Sequence, residues 1–149
     1  MNKKEVLIMA FSIEHVSIRV RDMEASVDYY HRMFGAQVIL RRNLAGGKKI
    51  AFLRIGDSML ELMGFGPANE PVDSREHYGV HHIGIKTDNF DATYKDLKAK
   101  GAEFLGEPFE PTPGIRLVFM RELNGAVIEL AQRDPKVFQA AISQGTVNW

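Results

Sequence analysis

Two histidines and two glutamates recur at matching places along the chain. His15 and His82 lie 67 residues apart, and Glu61 and Glu129 lie 68 residues apart. Strand-like alternation places each of them opposite the face that carries the neighbouring apolar residues. Two imidazoles and two carboxylates, in a chain without cysteine, suit one divalent ion such as Ni, Co, Zn, Mn or Fe, with water completing its shell. The pattern predicts a metal site where the sheets of the two copies converge.

Each of these residues taken alone has a more ordinary interpretation. A single outward Glu on an amphipathic strand is usually solvated, and a lone strand histidine is more often structural than a ligand. The duplicated set of four favours metal binding over solvent exposure. Alternation places His81 on the helix side, so it is not equivalent to His82, and His31 and His77 are expected at the surface because they have no matching partners.

The elements that must position these residues recur as well. Residues 13–20 and 80–87 are strand-like, and each is followed by a helix-start signal, Asp22 in the first copy and Asp88 or Asn89 in the second. Apolar positions at helical spacing then continue up to a glycine. Short strands are predicted after the helices at 37–40, 49–55, 58–63, 103–105, 115–120 and 126–131. Each copy therefore consists of a strand, a helix and three strands.

A single domain spanning residues 1–149 accommodates both copies. The segment between them is rich in Gly, Pro and charge, which is typical of a linker. Apolar residues at helical spacing favour a short helix in the tail after Arg133: Val137, Phe138, Ala141 and Ile142. The predicted boundaries are module one at 12–63, the linker at 64–79, module two at 80–132 and the C-terminal tail at 133–149.

Composition excludes several classes of function. Of the 149 residues, 45% are hydrophobic and 26% are charged, as in globular proteins with a sizeable core. The 19 basic residues balance 19 acidic ones, so nucleic acid is not expected as a partner. The absence of cysteine rules out disulfides, thiolate zinc sites and a cysteine nucleophile. The longest apolar stretches, such as residues 6–11, are too short to span a membrane, so we expect a cytoplasmic protein.

Three segments carry a family resemblance. Residues 19–30 are similar to the first helix region of glyoxalase I, and residues 79–89 and 51–62 resemble methylmalonyl-CoA epimerase. Over residues 12–132 the chain resembles the vicinal oxygen chelate superfamily, which also includes fosfomycin-resistance proteins, extradiol dioxygenases and bleomycin-resistance proteins. The resemblance implies an α+β fold in which two βαβββ modules form a cupped mixed sheet with helices outside. It also implies a metal held at four ligand positions: His15, Glu61, His82 and Glu129.

The chemistry implied by this resemblance takes place next to a carbonyl. A metal chelates neighbouring substrate oxygens, and a carboxylate beside it moves a proton. Glu61 and Glu129 are the candidates for that base, and Glu129 is favoured. Arg19 and Lys86 share the cup-facing side, where they either bind an anionic group of the substrate or are solvated charges at the rim. The leading prediction is a metal-dependent isomerase, epimerase or lyase, glyoxalase I-like or methylmalonyl-CoA epimerase-like, acting on a small molecule with adjacent oxygens.

Two other functions stay open at this point. A non-catalytic small-molecule binding or drug-resistance protein has the same fold, although intact ligand positions favour the enzyme. A ring-cleaving oxygenase usually has three ligands and vacant positions, so the fourth candidate ligand counts against it. Sheet edges and apolar faces that need covering further predict a homodimer.

Overall fold

The computed structural model describes residues 12–143, apart from the side chains of residues 138 and 141–143. The apolar stretch at 6–11 lies outside the described residues. Within the described part, no helix is both long and apolar enough to cross a membrane. The chain divides into two compact units, residues 1–65 and residues 66–149.

The first unit is a four-stranded mixed sheet with one helix on it. Its elements in chain order are β1 (His15–Arg19), α1 (Met23–Phe34), β2 (Gln37–Asn43), β3 (Lys49–Ile55) and β4 (Ser58–Gly64). The strand order is β1-β4-β3-β2, with β1 parallel to β4 and the other pairs antiparallel. The crossover through α1 places the first and last strands of the unit side by side.

Local signals in the sequence explain both ends of α1. The Asp22 carboxylate accepts a hydrogen bond from the Ala25 backbone N–H at 2.8 Å, which caps the helix N-terminus. Gly35 ends the helix with a φ of 66°, a left-handed conformation that favours glycine. The helix packs on β3 and β4, where Tyr30 is buried together with Leu53 and Leu62. The apolar face of the sheet is therefore the helix side, as the alternation predicts.

The second unit repeats this arrangement and adds a tail helix. Its elements in chain order are β5 (Ile83–Lys86), α2 (Phe90–Ala99), β6 (Glu103–Phe104), β7 (Phe109–Thr112), β8 (Ile115–Arg121), β9 (Val127–Arg133) and α3 (Pro135–Ser143). The strand order is β5-β9-β8-β6, and β7 also pairs with β8. Asn89 caps α2 by accepting from the Ala92 N–H at 3.1 Å. The α+β class and the two βαβββ modules are confirmed.

The edge strand of the second unit is split, which the sequence analysis did not predict. β6 pairs with β8 near Arg121, and β7 pairs with it at Leu117 and Ile115. The two short strands thus share the edge position that β2 holds in the first unit. Pro111 lies within β7, and proline, which lacks a backbone donor, is tolerated on such an edge.

A buried carboxylate organises the turn between β8 and β9. Glu122 is only 3% exposed, and its Oε1 accepts from the backbone N–H groups of Asn124 at 2.7 Å and Ala126 at 2.9 Å. Gly125 has a φ of +97°, and Pro71 packs directly over it. The segment that enters the second unit therefore lies against its final hairpin.

The tail forms the helix that its periodicity predicts. α3 begins two residues after Arg133, and its Val137 lies over Gly114 at the β7–β8 turn. The side chains of Phe138, Ala141 and Ile142, which carry the rest of that prediction, lie outside the described residues.

Candidate functional site

His15 and Glu61 face each other on the sheet of the first unit. The parallel register of β1 and β4 places Ser17 opposite Glu61, so His15 lies one alternation step away on the same face. His15 Nε2 is 3.4 Å from Glu61 Oε2, and the two side chains are 34% and 14% exposed. The face is the one away from α1, as predicted.

His82 and Glu129 form an equivalent pair in the second unit. Gly84 of β5 lies opposite Glu129 of β9, and His82 precedes the strand by one residue. His82 Nε2 is 3.3 Å from Glu129 Oε2, with side chains 32% and 9% exposed. The duplication that is visible in the sequence is therefore also a duplication of geometry.

A phenylalanine that was not predicted from the sequence packs against each histidine. Phe52 and Phe119 lie directly opposite Glu61 and Glu129 on the neighbouring strands. Each ring meets its histidine in an edge-to-face arrangement with centroids 5.4 Å apart. Positions 52 and 119 are 67 residues apart, the same shift as the histidines. The repeat therefore contained enough information to predict this matching pair of phenylalanines. Each unit thus carries one group of Phe, His and Glu.

The second ring nitrogen of each histidine also has a partner. His15 Nδ1 is 3.1 Å from Glu14 Oε1, and His82 Nδ1 is 2.8 Å from His81 Nδ1. The prediction that His81 lies on the helix side is wrong: its ring lies 6.2 Å from that of Phe119 and 5.0 Å from that of His82, because β5 begins only at Ile83 and alternation does not extend to His81. A partner at Nδ1 orients an imidazole and leaves Nε2 for a ligand.

The two glutamates differ in the partner of Oε1, the carboxylate oxygen that does not face the histidine. Arg133 Nη2 donates to Glu129 Oε1 at 2.9 Å, and the guanidinium side chain is 36% exposed. Among the residues that the structure describes, Glu61 has His15 as its only ion-pair partner, through Oε2. Arg133 was not among the residues predicted from the sequence, although it shares the face of Glu129 because it lies four residues further along the same strand.

Arg19 and Lys86 lie on the faces that carry the histidines, by strand alternation. Arg19 Nη2 donates to the carbonyl oxygen of Phe65 at 3.2 Å, and Lys86 is exposed opposite Ala131. Within residues 12–143, no hydrogen bond is seen between either cation and a His–Glu pair. The other two histidines without partners in the repeat, His31 and His77, are exposed as predicted.

An ion pair of Asp73 with Arg75 lies in the second unit, and its arginine lies over the ring of Phe119. The hydrogen bonds from Arg75 hold the pKa of the Asp73 carboxyl well below its usual range, and Arg121 lies 3.9 Å away. The same contact raises the pKa of the Arg75 guanidinium. Arg75 lies 5.8 Å from the centre of the Phe119 ring, so a cation adjoins the Phe–His–Glu group of the second unit.

Comparison with known proteins agrees with this duplicated arrangement. The profile of the Glyoxalase/Bleomycin resistance protein/Dioxygenase superfamily matches residues 12–130. The chain belongs to this superfamily. A mitochondrial methylmalonyl-CoA epimerase of Homo sapiens is 30% identical over 128 residues, which cover 80% of this chain and 73% of that protein. The predicted resemblance is confirmed.

Two further similarities stand beside this match, one in sequence and one in fold. A lactoylglutathione lyase of Arabidopsis thaliana is 28% identical over 134 residues, covering 81% of this chain and 44% of the lyase. The solved structure of a glyoxalase family protein from Bacillus cereus has a TM-score of 0.72 and 21% identity, covering 86% of this chain and 97% of that one. The structural similarity shows the shared fold.

The donor sets fit the divalent metal that members of the glyoxalase superfamily typically bind. Two donors that each bind one ion at about 2.1 Å lie about 3.0 to 3.4 Å apart in octahedral or tetrahedral geometry. The Nε2-to-Oε2 distances of the two pairs, 3.4 and 3.3 Å, agree with this spacing. Among the described residues, no three His, Asp or Glu side chains form a metal-binding group. Each unit thus contains one His–Glu pair with the spacing of two donors.

Proposed function

We propose that this glyoxalase superfamily protein is a metal-dependent isomerase, epimerase or lyase that moves a proton next to a carbonyl group. The observation that carries the proposal is the pair of nearly identical His–Glu contacts, at 3.4 and 3.3 Å, each flanked by a phenylalanine. A relative named as an epimerase and another named as a lyase support this class of reaction.

One divalent ion, of Ni, Co, Zn, Mn or Fe, would be held by four residues: His15, Glu61, His82 and Glu129. The two His–Glu pairs would come from one chain or from the two chains of a homodimer. When bound, the ion supplies a Lewis acid that stabilises negative charge on substrate oxygens. The imidazoles are suited to bind through Nε2, because their Nδ1 atoms already face Glu14 and His81.

Proton transfer is assigned to a carboxylate of the site. Glu129 would remove the proton from the carbon beside the carbonyl, and the electron pair of the broken C–H bond would move into the carbonyl group. Return of the proton to the opposite face of that carbon gives epimerisation, and its return to the neighbouring carbon gives isomerisation. Glu61 is the other carboxylate of the site that could remove this proton. Arg19 and Lys86 are the proposed contacts for an anionic part of the substrate.

Solvent-exchange measurements test the proposal. The protein is purified without added metal, its metal content is measured, and it is incubated in deuterium oxide with methylmalonyl-CoA or with lactoylglutathione. We expect metal-dependent incorporation of one deuterium next to a carbonyl of at least one of these compounds, detected by mass spectrometry.

His15→Ala is the matched control, because it removes one imidazole donor and leaves both carboxylates in place. Metal-free protein as purified, together with no response to added metal, would contradict the proposed metal site. Tight binding of a compound by the metal-loaded protein without any exchange would instead identify a non-catalytic binding protein.

A further inference from the structure

We infer that Arg133 restricts Glu129 to one coordinating oxygen and thereby leaves room beside the ion for two oxygens of the substrate. The inference rests on the proposed metal site. It assigns to Arg133 a positioning role that acts through Glu129, and it concerns the class of substrates that bind through adjacent oxygens.

The two oxygens of Glu129 have separate partners. Oε1 accepts a hydrogen bond from Arg133 Nη2 at 2.9 Å, whereas Oε2 faces His82 Nε2 at 3.3 Å. The Glu129 side chain is only 9% exposed, so the carboxylate end of the contact is shielded from water, although the Arg133 side chain is 36% exposed. Oε2, which faces the imidazole of His82, is therefore the oxygen that would coordinate an ion.

This arrangement matters because carboxylates bind divalent ions through either one oxygen or both. A Glu129 that used both oxygens would occupy one more position around the ion. The hydrogen bond from Arg133 opposes that rotation, since Oε1 would have to leave a charged donor. Two imidazoles and two singly bound carboxylates would hold the ion through four donors and would leave coordination free for two substrate oxygens.

The first unit lacks this restraint. Among the described residues, Glu61 has an ion-pair partner only through Oε2, and the residue four positions after it is Phe65. The repeat therefore conserves the His–Glu–Phe groups but differs at the position that Arg133 occupies. The asymmetry predicts that only Glu129 changes its number of coordinating oxygens when this arginine is removed.

Arg133→Met tests the inference with Mn²⁺ alone as the probe. Water-proton relaxation counts the exchangeable waters on bound Mn²⁺, and titration calorimetry gives the affinity. We expect about one fewer water per ion in the variant, because Glu129 now binds through both oxygens. We also expect Mn²⁺ to bind about tenfold more tightly, since a neighbouring positive charge is lost.

Three further variants control for charge and folding. Arg133→Lys keeps a donor and a positive charge, so it should restore most of the water count. Arg133→Gln removes the charge as Arg133→Met does, and it serves if that variant folds poorly. Arg116→Met removes an arginine of similar exposure that pairs with Asp91 on the opposite face of the sheet. The number of exchangeable waters and the Mn²⁺ affinity of this variant should stay within about twofold of the wild type.

The outcomes separate this inference from the proposed function. An unchanged water count, or weaker Mn²⁺ binding in Arg133→Met, overturns the positioning role while the metal site stands, because a merely structural ion pair predicts weaker binding. Wild-type protein that binds no divalent ion overturns the metal site and the inference together.

Discussion

At the level of single residues, the two carboxylates allow ligand and base roles to be separated. Glu129→Gln keeps an amide oxygen that can still coordinate, but it loses the proton acceptor. We expect the variant to retain much of its metal while deuterium exchange per bound metal falls by on the order of a hundredfold or more. His15→Ala should instead lower metal occupancy and exchange together. If Glu61→Gln abolishes exchange per metal while Glu129→Gln keeps the wild-type rate, the two roles are reversed.

The sequence predicted His15, Glu61, His82 and Glu129 because a repeat and strand alternation are enough to assign a face to each one. It did not predict which atoms these side chains engage. The contact from Arg133 to Glu129 depends on side-chain reach along one strand, which a period of two residues does not specify.

Among the elements, the β8–β9 hairpin depends most on one glycine. Gly125 has a φ of +97°, and a Cβ at this position would lie 2.4 Å from Pro71 Cγ. We expect Gly125→Ala to lower the free energy of unfolding by about 1–3 kcal/mol from backbone strain, with a further loss from the contact with Pro71. Urea unfolding followed by circular dichroism measures the change.

Gly101→Ala is the matched control, since its φ of +84° is close to that of Gly125 and a Cβ there meets nothing within 4 Å. It carries the strain without the clash, so the difference between the two variants isolates the packing of Pro71. Equal losses in the two variants would show that Pro71 moves aside freely.

The sequence predicted the helices better than the edges of the sheets. Asp22 and Asn89 cap α1 and α2 through local hydrogen bonds, and such contacts can be predicted because they depend only on a few adjacent residues. β7 escaped prediction because an edge strand containing Pro111 is stabilised by its partner β8, not by its own composition. The face of His81 was also mispredicted, because β5 begins only at Ile83 and strand alternation does not reach back to His81.

For the whole molecule, the number of ions per chain distinguishes one shared site from two separate ones. Each unit contributes one His–Glu pair, and two donors alone hold a divalent ion weakly compared with four. We expect one tightly bound ion per chain in a homodimer, measured by elemental analysis and by sedimentation at micromolar concentration. The exposed apolar side chains of Val38, Ile39 and Leu40 on the edge strand β2 agree with a partner subunit.

Single substitutions in either pair sharpen this expectation. If both pairs hold the same ion, His15→Ala and His82→Ala should each weaken binding of the whole complement of metal, because each removes one of its four donors. If the pairs act separately, each substitution should abolish half of the bound metal and leave the other half at wild-type affinity. Two ions per chain, or a protein that sediments only as a monomer, would contradict the shared site in a homodimer. A titration that shows a single class of weakened sites in both variants would place all four side chains around one ion.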